Sequence, residues 1–184
     1  MNREAVGLIE LNSIASGILV TDVVLDTADV EIVLSRTICS GKYIVVFTGS
    51  VAAVQAAVES GMEEAEGGVI DSMVIPNVHE SIFPAIAGAN PRVDELDALG
   101  VVESFSVGSL IEAADAIAKA AQVELLEIRL AMALGGKAFV SLTGDVSSVR
   151  EAVEVGAGVI ARKGLLVNKV VIPAPHPQLY KDYL

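Results

Sequence analysis

The residue best suited to chemistry in this sequence is its single cysteine, Cys39, which lies in a short glycine-containing segment, residues 37–42, between two apolar runs. A cysteine thiolate acts as a nucleophile or as a metal ligand. A nucleophilic cysteine needs a base beside it, and neither His79 nor His176 lies near Cys39 in the sequence. A lone cysteine is also often a small buried apolar side chain. From the residues alone, Cys39 is a metal ligand, a core residue or a catalytic thiol, and all three interpretations stay open.

The other polar motifs of the sequence do not form a recognisable catalytic site. Residues 135–137 read Gly-Gly-Lys but lack the spacing of a phosphate-binding loop, so we interpret them as part of a hairpin turn. The glutamates within residues 59–66 are typical of a solvated helix end. No repeated pair of carboxylates has a spacing that indicates general acid–base catalysis. We therefore predict that the protein is not an enzyme.

The composition excludes several classes of partner. The sequence has 12 basic and 24 acidic residues, and its net charge of −12 argues against binding to nucleic acid or anionic lipid. No apolar run approaches the length of about 18 residues that spans a bilayer, and residues 1–4 show no apolar signal region. One cysteine forms no internal disulfide. With 53% hydrophobic residues among 184, we expect a soluble cytoplasmic protein with a large aliphatic core.

The elements that position Cys39 follow from the hydrophobic pattern of the first half. Apolar, β-branched runs predict strands at residues 5–10, 30–38, 43–47 and 69–75. Helices are expected after Ser13 and Ser50, which are suitable N-caps. One side of the first helix carries the apolar residues Ile14, Ile18, Val24 and Leu25. The order β-α-β-β-α-β predicts an α+β, ferredoxin-like fold with a four-stranded antiparallel sheet.

The pattern restarts near residue 98, which indicates two tandem domains. Residues 5–10 match 98–103, and residues 74–79 match 171–176. We predict a first domain over residues 1–92, which carries the Cys39 loop, and a second over residues 93–184, joined by a Gly/Asn/Pro linker. The counterpart of the Cys39 loop, residues 130–137, is longer and has no thiol. Two small domains with much apolar surface also favour assembly into a closed ring.

Three repeated motifs carry a resemblance to a known family. They are the opening strand A-x-G-x-[IV]-E, the helix start T-G-[SD]-V-x-x-V at Thr48 and Thr143, and the strand end V-I-P-x-x-H at His79 and His176. With these motifs in tandem, the chain resembles the BMC-domain shell proteins of bacterial microcompartments, and among them the tandem, trimer-forming class. Its cysteine loop is similar to that of the propanediol-utilisation T-type (PduT-like) subgroup.

The resemblance implies a structural shell protein that forms a pseudo-hexameric homotrimer around a central pore. In that subgroup a [4Fe-4S] iron–sulfur cluster at the pore is ligated by one cysteine from each chain. By resemblance, Cys39 is this metal and cofactor ligand, and Ser40 and Gly41 line the pore. The cluster would serve electron transfer across the shell or redox sensing. The implied partners are other shell proteins and encapsulated redox enzymes, with neither nucleic acid nor a membrane.

Two alternatives stay open at this point. The first is a shell protein whose pore conducts metabolites and holds no cluster, with Cys39 inert. The second is a small-molecule sensor or enzyme on a ferredoxin-like scaffold, since that fold supports many functions.

Overall fold

The structure is a computed structural model that describes residues 3–89 and 95–179. The chain divides into two compact units between Val78 and His79, so the segment that follows Val78 belongs to the second unit. The domain boundary predicted between residues 92 and 93 lies outside the described residues.

The first unit is a four-stranded antiparallel sheet with two helices packed on one face. Its elements in chain order are β1 (Ala5–Leu11), α1 (Ile14–Thr27), β2 (Val30–Ile38), β3 (Lys42–Gly49), α2 (Val51–Glu64) and β4 (Val69–Pro76). The strands lie in the order β2-β3-β1-β4, which confirms the ferredoxin-like arrangement. The strand predicted at residues 43–47 continues through Thr48 and Gly49, because both residues pair with β1 and with β2.

The second unit repeats this arrangement after one short additional helix. Its elements are α3 (Ile82–Ala87), β5 (Ala98–Ser104), α4 (Val107–Ala120), β6 (Glu124–Leu130), β7 (Ala138–Gly144), α5 (Val146–Ala161) and β8 (Leu166–Pro173). The strand order is β6-β7-β5-β8. Gly7 pairs with Phe47 as Gly100 pairs with Leu142. The matching register defines equivalent positions in the two repeats and confirms the duplication.

Each of the four long helices begins at a capping side chain. In three of them a serine hydroxyl accepts the backbone N–H three positions on: Ser13, Ser50 and Ser106. In α5 the cap is Asp145, which accepts the N–H groups of Ser147 and Ser148 at 2.9 and 3.0 Å. Hydrogen bonds from the Ser147 hydroxyl and then the Ser148 hydroxyl hold the pKa of Asp145 well below its usual range. Asp145 therefore stays charged at the helix N-terminus, where negative charge is favourable.

The packed side of α1 differs from the apolar side that the sequence predicted. The residues of α1 that face the core are Gly17, Val20 and Val24. Of the predicted set Val24 is buried, but Ile14, Ile18 and Leu25 are exposed. Since α1 is apolar around most of its circumference, apolar spacing alone does not define which side packs on the sheet.

A size-complementary pair fixes α1 against β3. A Cβ atom on Gly17 would lie 2.4 Å from the ring atoms of Tyr43, so only glycine fits beneath this ring. The equivalent positions of the second unit hold Leu110 on α4 and Ala138 on β7, both fully buried. The larger side chain of the pair lies on the strand in the first unit and on the helix in the second. The total packed volume is therefore similar in the two repeats.

We expect Gly17→Ala to lower the free energy of unfolding by about 1–3 kcal/mol, because overpacking forces Tyr43 out of its position. Gly158→Ala is a matched control in α5, where the new Cβ would meet only the Arg162 Nη1 atom at 3.7 Å. This control should stabilise the chain by about 0.5–1 kcal/mol. Urea unfolding of both variants measures the difference, and an undiminished stability of Gly17→Ala would contradict the packing described.

Candidate functional site

Cys39 begins a single 3₁₀ turn, Cys39–Gly41, that joins β2 to β3. The turn closes in three residues because Ser40 (φ 66°, ψ 26°) and Gly41 (φ 72°) both have left-handed backbone conformations. Glycine adopts this conformation freely, as predicted for Gly41, whereas at Ser40 it costs about 1–2 kcal/mol. Cys39 is partly exposed and in no disulfide, and the two residues after it, Ser40 and Gly41, are exposed. Cys39 therefore lies at the exposed tip of a tight hairpin.

A partly buried ion pair closes the hairpin directly behind this tip. Ile38 pairs with Lys42 across the turn, and Lys42 Nζ donates to Glu10 Oε1 of β1 at 2.9 Å. Glu10 is only 5% exposed, so its carboxylate depends on this cation. The role of Lys42 was not predicted from the sequence. The available signal was the repetition of both partners, since Lys137 bonds Glu103 at 2.7 Å in the second unit.

A chain of hydrogen bonds ties the hairpin to α1. The Tyr43 hydroxyl lies 2.9 Å from Ser35 Oγ, and Ser35 Oγ lies 3.0 Å from Thr21 Oγ1. Thr21 in turn donates to the Gly17 carbonyl oxygen at 2.7 Å. These bonds join β3, β2 and α1 through side chains, so the two strands that present Cys39 are held to the helix layer.

An arginine lies on each hairpin at the same register but in different surroundings. Arg36 pairs with Ile44, and Arg129 pairs with Phe139. Arg129 bonds Glu127 and lies 5.4 Å from the centre of the Phe139 ring. Partial burial lowers the pKa of the Arg36 guanidinium from its ordinary value. The first hairpin therefore carries its cationic side chain in a less hydrated position than an exposed arginine.

The counterpart turn of the second unit has five residues between Ala131 and Lys137 and no thiol. Met132 occupies the first position of this turn, where the first unit has Cys39, and it is exposed. Gly135 (φ 63°) and Gly136 (φ 86°) reverse the chain, which confirms the predicted hairpin turn. The difference between the two loops is therefore confined to the residues beyond the conserved ion pair.

The described ranges 3–89 and 95–179 contain no group of three or more His, Cys, Asp or Glu side chains placed to hold a metal ion. Both histidines have local structural roles instead. The His79 N–H donates to Asp115 Oδ1 at 2.8 Å, and His176 Nδ1 accepts the Gln178 N–H at 3.2 Å. A cluster of the [4Fe-4S] type is held by about four thiolates, whereas one chain has one cysteine, Cys39. A single chain therefore does not supply the full set of ligands. Ser40 and Gly41 as pore-lining residues stay a prediction.

The second unit also has an open cleft of about 600 Å³. Its lining includes four acidic residues: Glu95, Asp97, Glu124 and Asp145. The described lining has no histidine, cysteine or lysine, and its Thr143 hydroxyl is bonded to the Ala98 carbonyl oxygen. The cleft therefore presents no nucleophile–base pair for catalysis.

Helices of the described part of the chain are too short or too polar to cross a membrane.

Comparison with known proteins finds the same two-part organisation. The BMC domain model matches the chain over residues 5–78 and again over residues 98–175. The chain is 43% identical over 179 residues to the bacterial microcompartment shell protein PduT of Citrobacter freundii, with 97% of each chain covered. It is 39% identical over 84 residues to the shell protein EutM of Salmonella typhimurium, which covers 46% of this chain and 85% of EutM.

Among solved structures, the chain is similar to a microcompartments protein from Desulfitobacterium hafniense DCB. The two are 47% identical, with a TM-score of 0.93, and the match covers 98% of this chain and 99% of the other. The similarity thus extends over both units.

We expect Lys42→Met to destabilise the protein by about 1–3 kcal/mol, because it leaves the buried Glu10 carboxylate without its donor. It should also speed the reaction of Cys39 with a thiol reagent, since the hairpin tip is no longer anchored. The matched control is Lys137→Met. Its partner Glu103 keeps 30% of its side chain exposed and remains hydrated, so the loss should be smaller and the thiol rate unchanged. Equal thiol rates in all three proteins would show that the ion pair does not hold the Cys39 turn.

Proposed function

The chain belongs to the BMC domain family, and on that basis we propose that it is a structural shell protein of a bacterial microcompartment in which three copies share one [4Fe-4S] cluster through Cys39. The tandem BMC domains and the full-length similarity to the shell protein PduT support the shell role. Its location is the microcompartment shell in the cytoplasm. The proposed cluster depends on Cys39 as its protein ligand.

The observation that carries the cluster proposal is the asymmetry between two otherwise equivalent hairpins. The first ends in a three-residue turn that presents a partly exposed cysteine, and the second ends in a five-residue turn without a thiol. The two share strand register and ion pair, so the fold does not require the difference. A specialised first hairpin is consistent with a binding role for Cys39.

A homotrimer would supply the additional thiolate ligands that a single chain lacks. One Cys39 gives one thiolate, whereas a homotrimer gives three, and a remaining ligand such as water completes the set of about four that holds a cubane cluster. The exposure of Cys39 at a hairpin tip suits a ligand shared between chains. The small exposed residues Ser40 and Gly41 leave the space beside it unobstructed.

The residues around Cys39 act by positioning it. The Lys42–Glu10 pair fixes the start of β3, and the Tyr43–Ser35 hydrogen bond holds the two strands together behind the turn. When bound, the cluster supplies one-electron transfer. This chemistry fits electron exchange across the shell with encapsulated redox enzymes, or sensing of redox state, in a shell built with other shell proteins.

The cluster is tested by anaerobic reconstitution with iron and sulfide, followed by iron analysis, absorption and EPR spectroscopy. We expect the wild type to bind iron with cluster spectra and Cys39→Ser to retain only background iron. Met132→Ser is the matched control at the equivalent position of the thiol-free loop and should bind as the wild type does. Equal iron content in the wild type and in Cys39→Ser would contradict the cluster and favour a plain metabolite-conducting pore.

The assembly is tested by native mass spectrometry and electron microscopy. We expect a species of three times the 19.0 kDa chain mass, which tiles into sheets on concentration, and the same species for Cys39→Ser without iron. A monomeric wild type would contradict the shared site, because one thiolate cannot hold the cluster. Saturable binding of a small molecule without sheet formation would favour a sensor instead.

A further inference from the structure

The end of each sheet that lies away from the hairpin tip has the same backbone arrangement in both units. Glu31 pairs with Thr48 in the first unit, as Glu124 pairs with Thr143 in the second. Each threonine hydroxyl donates to the carbonyl oxygen of the first residue of β1 or β5, at 2.8 Å in both units. Glu31 and Glu124 are therefore equivalent residues on the same framework.

In the first unit this glutamate binds an arginine. Arg3, in the segment just before β1, donates from Nη2 to Glu31 Oε1 at 2.8 Å. The side chains of both residues are partly exposed. The first unit thus shows that a guanidinium fits against this end of the sheet, and it shows which carboxylate accepts the hydrogen bond.

The second unit keeps the glutamate but lacks the arginine. The residue at the position of Arg3 is Leu96, which is buried with Leu99 in an apolar cluster. Glu124 is exposed and forms no ion pair with any residue that the structure describes. The carboxylate that receives a guanidinium in the first unit is therefore left to solvent in the second.

The cleft around Glu124 has gained negative charge as well. Asp145 caps α5 where the neutral Ser50 caps α2, and Glu95 and Asp97 complete the acidic lining. The described lining holds no lysine or arginine. Carboxylates that share one cleft repel each other, in a chain whose net charge is already −12. A bound cation relieves this repulsion.

We infer that this cleft receives an arginine side chain from a basic segment of another protein, with Glu124 as its main acceptor. The first unit fills the equivalent place from its own chain through Arg3, whereas the second unit takes the guanidinium from a partner. Arginine suits the cleft better than lysine, because its planar guanidinium presents five N–H donors to several carboxylates at once.

A second copy of this chain is a poor source of that arginine. Seven of its 12 basic residues are already in ion pairs within the chain, and two copies of net charge −12 repel each other. A protein with a basic surface segment has the complementary charge. The inference uses neither Cys39 nor the hairpins, so it stands or falls apart from the proposed cluster.

Binding of a basic peptide tests the cleft. The probe is a fluorescein-labelled peptide of alternating glycine and arginine, titrated with the full-length protein at low ionic strength and followed by fluorescence anisotropy. We expect the double variant Glu95→Gln, Glu124→Gln to weaken binding about tenfold. The matched control Glu31→Gln should bind as the wild type does, since Arg3 already occupies that glutamate. Circular dichroism checks that each variant is folded.

Two further measurements test the chemistry of the occupant. The same peptide with lysine in place of arginine should bind several-fold more weakly, because an ammonium is a point charge and makes no bidentate contact. Arg3→Leu gives the first unit the apolar residue of the second and releases Glu31. This variant should therefore bind a second peptide, more weakly because its cap is the neutral Ser50.

Three outcomes would overturn the inference. An equal loss of binding in Glu63→Gln, Glu64→Gln, which removes the same charge from the exposed end of α2, would show that the peptide responds to net charge alone. Tighter binding by Arg92→Gln would show that an arginine of the same chain fills the cleft. Dissociation of the assembly in the cleft variant would identify the occupant as another copy of this chain. An unchanged assembly and iron content leave the shell role and the cluster untouched in every case.

Discussion

The distance between helix layer and sheet depends on a glycine at the centre of each middle strand. A Cβ atom on Gly7 would lie 2.9 Å from Val54 of α2, and one on Gly100 would lie 2.8 Å from Val153 of α5. Because these side chains rest directly on the backbone of β1 and β5, the helices pack close to the sheet. Phe47 of β3 and Leu142 of β7 lie over the same two glycines, so a strand of each hairpin also packs at this contact.

The two repeats have diverged in ways that preserve this frame. The pair Gly17 and Tyr43 has become Leu110 and Ala138, and the cap Ser50 has become Asp145. These exchanges conserve volume or hydrogen bonding, so they cost the fold little. The differences without such compensation lie at the Cys39 turn and on the side of α1 that carries the exposed residues Ile14, Ile18 and Leu25.

Much of the fold was predictable because its signals are local. Period-2 apolar strands, the N-caps Ser13 and Ser50 and the repeated motifs together determine the element order and the sheet. The packed side of α1 was not predictable, since Ile18 and Val24 are equally apolar and only tertiary contacts separate them. The Glu10–Lys42 pair joins residues 32 positions apart. Its signals in the sequence were a glutamate within an apolar strand and the repetition of both partners in the second half. The role proposed for Cys39 depends on other copies of the chain, so contacts within one chain do not reveal it.

The ion pair behind each hairpin tip marks the boundary between the conserved part of the hairpin and its variable turn. The strands before the ion pair have the same register in both repeats. The turn beyond it has three residues in the first repeat and five in the second, and the strand pairing is the same in both. Residues at the tip can therefore be exchanged with little effect on folding. The hairpin therefore tolerates turns of different length and sequence. Because the domain is duplicated, one chain can carry two different turns on the same framework.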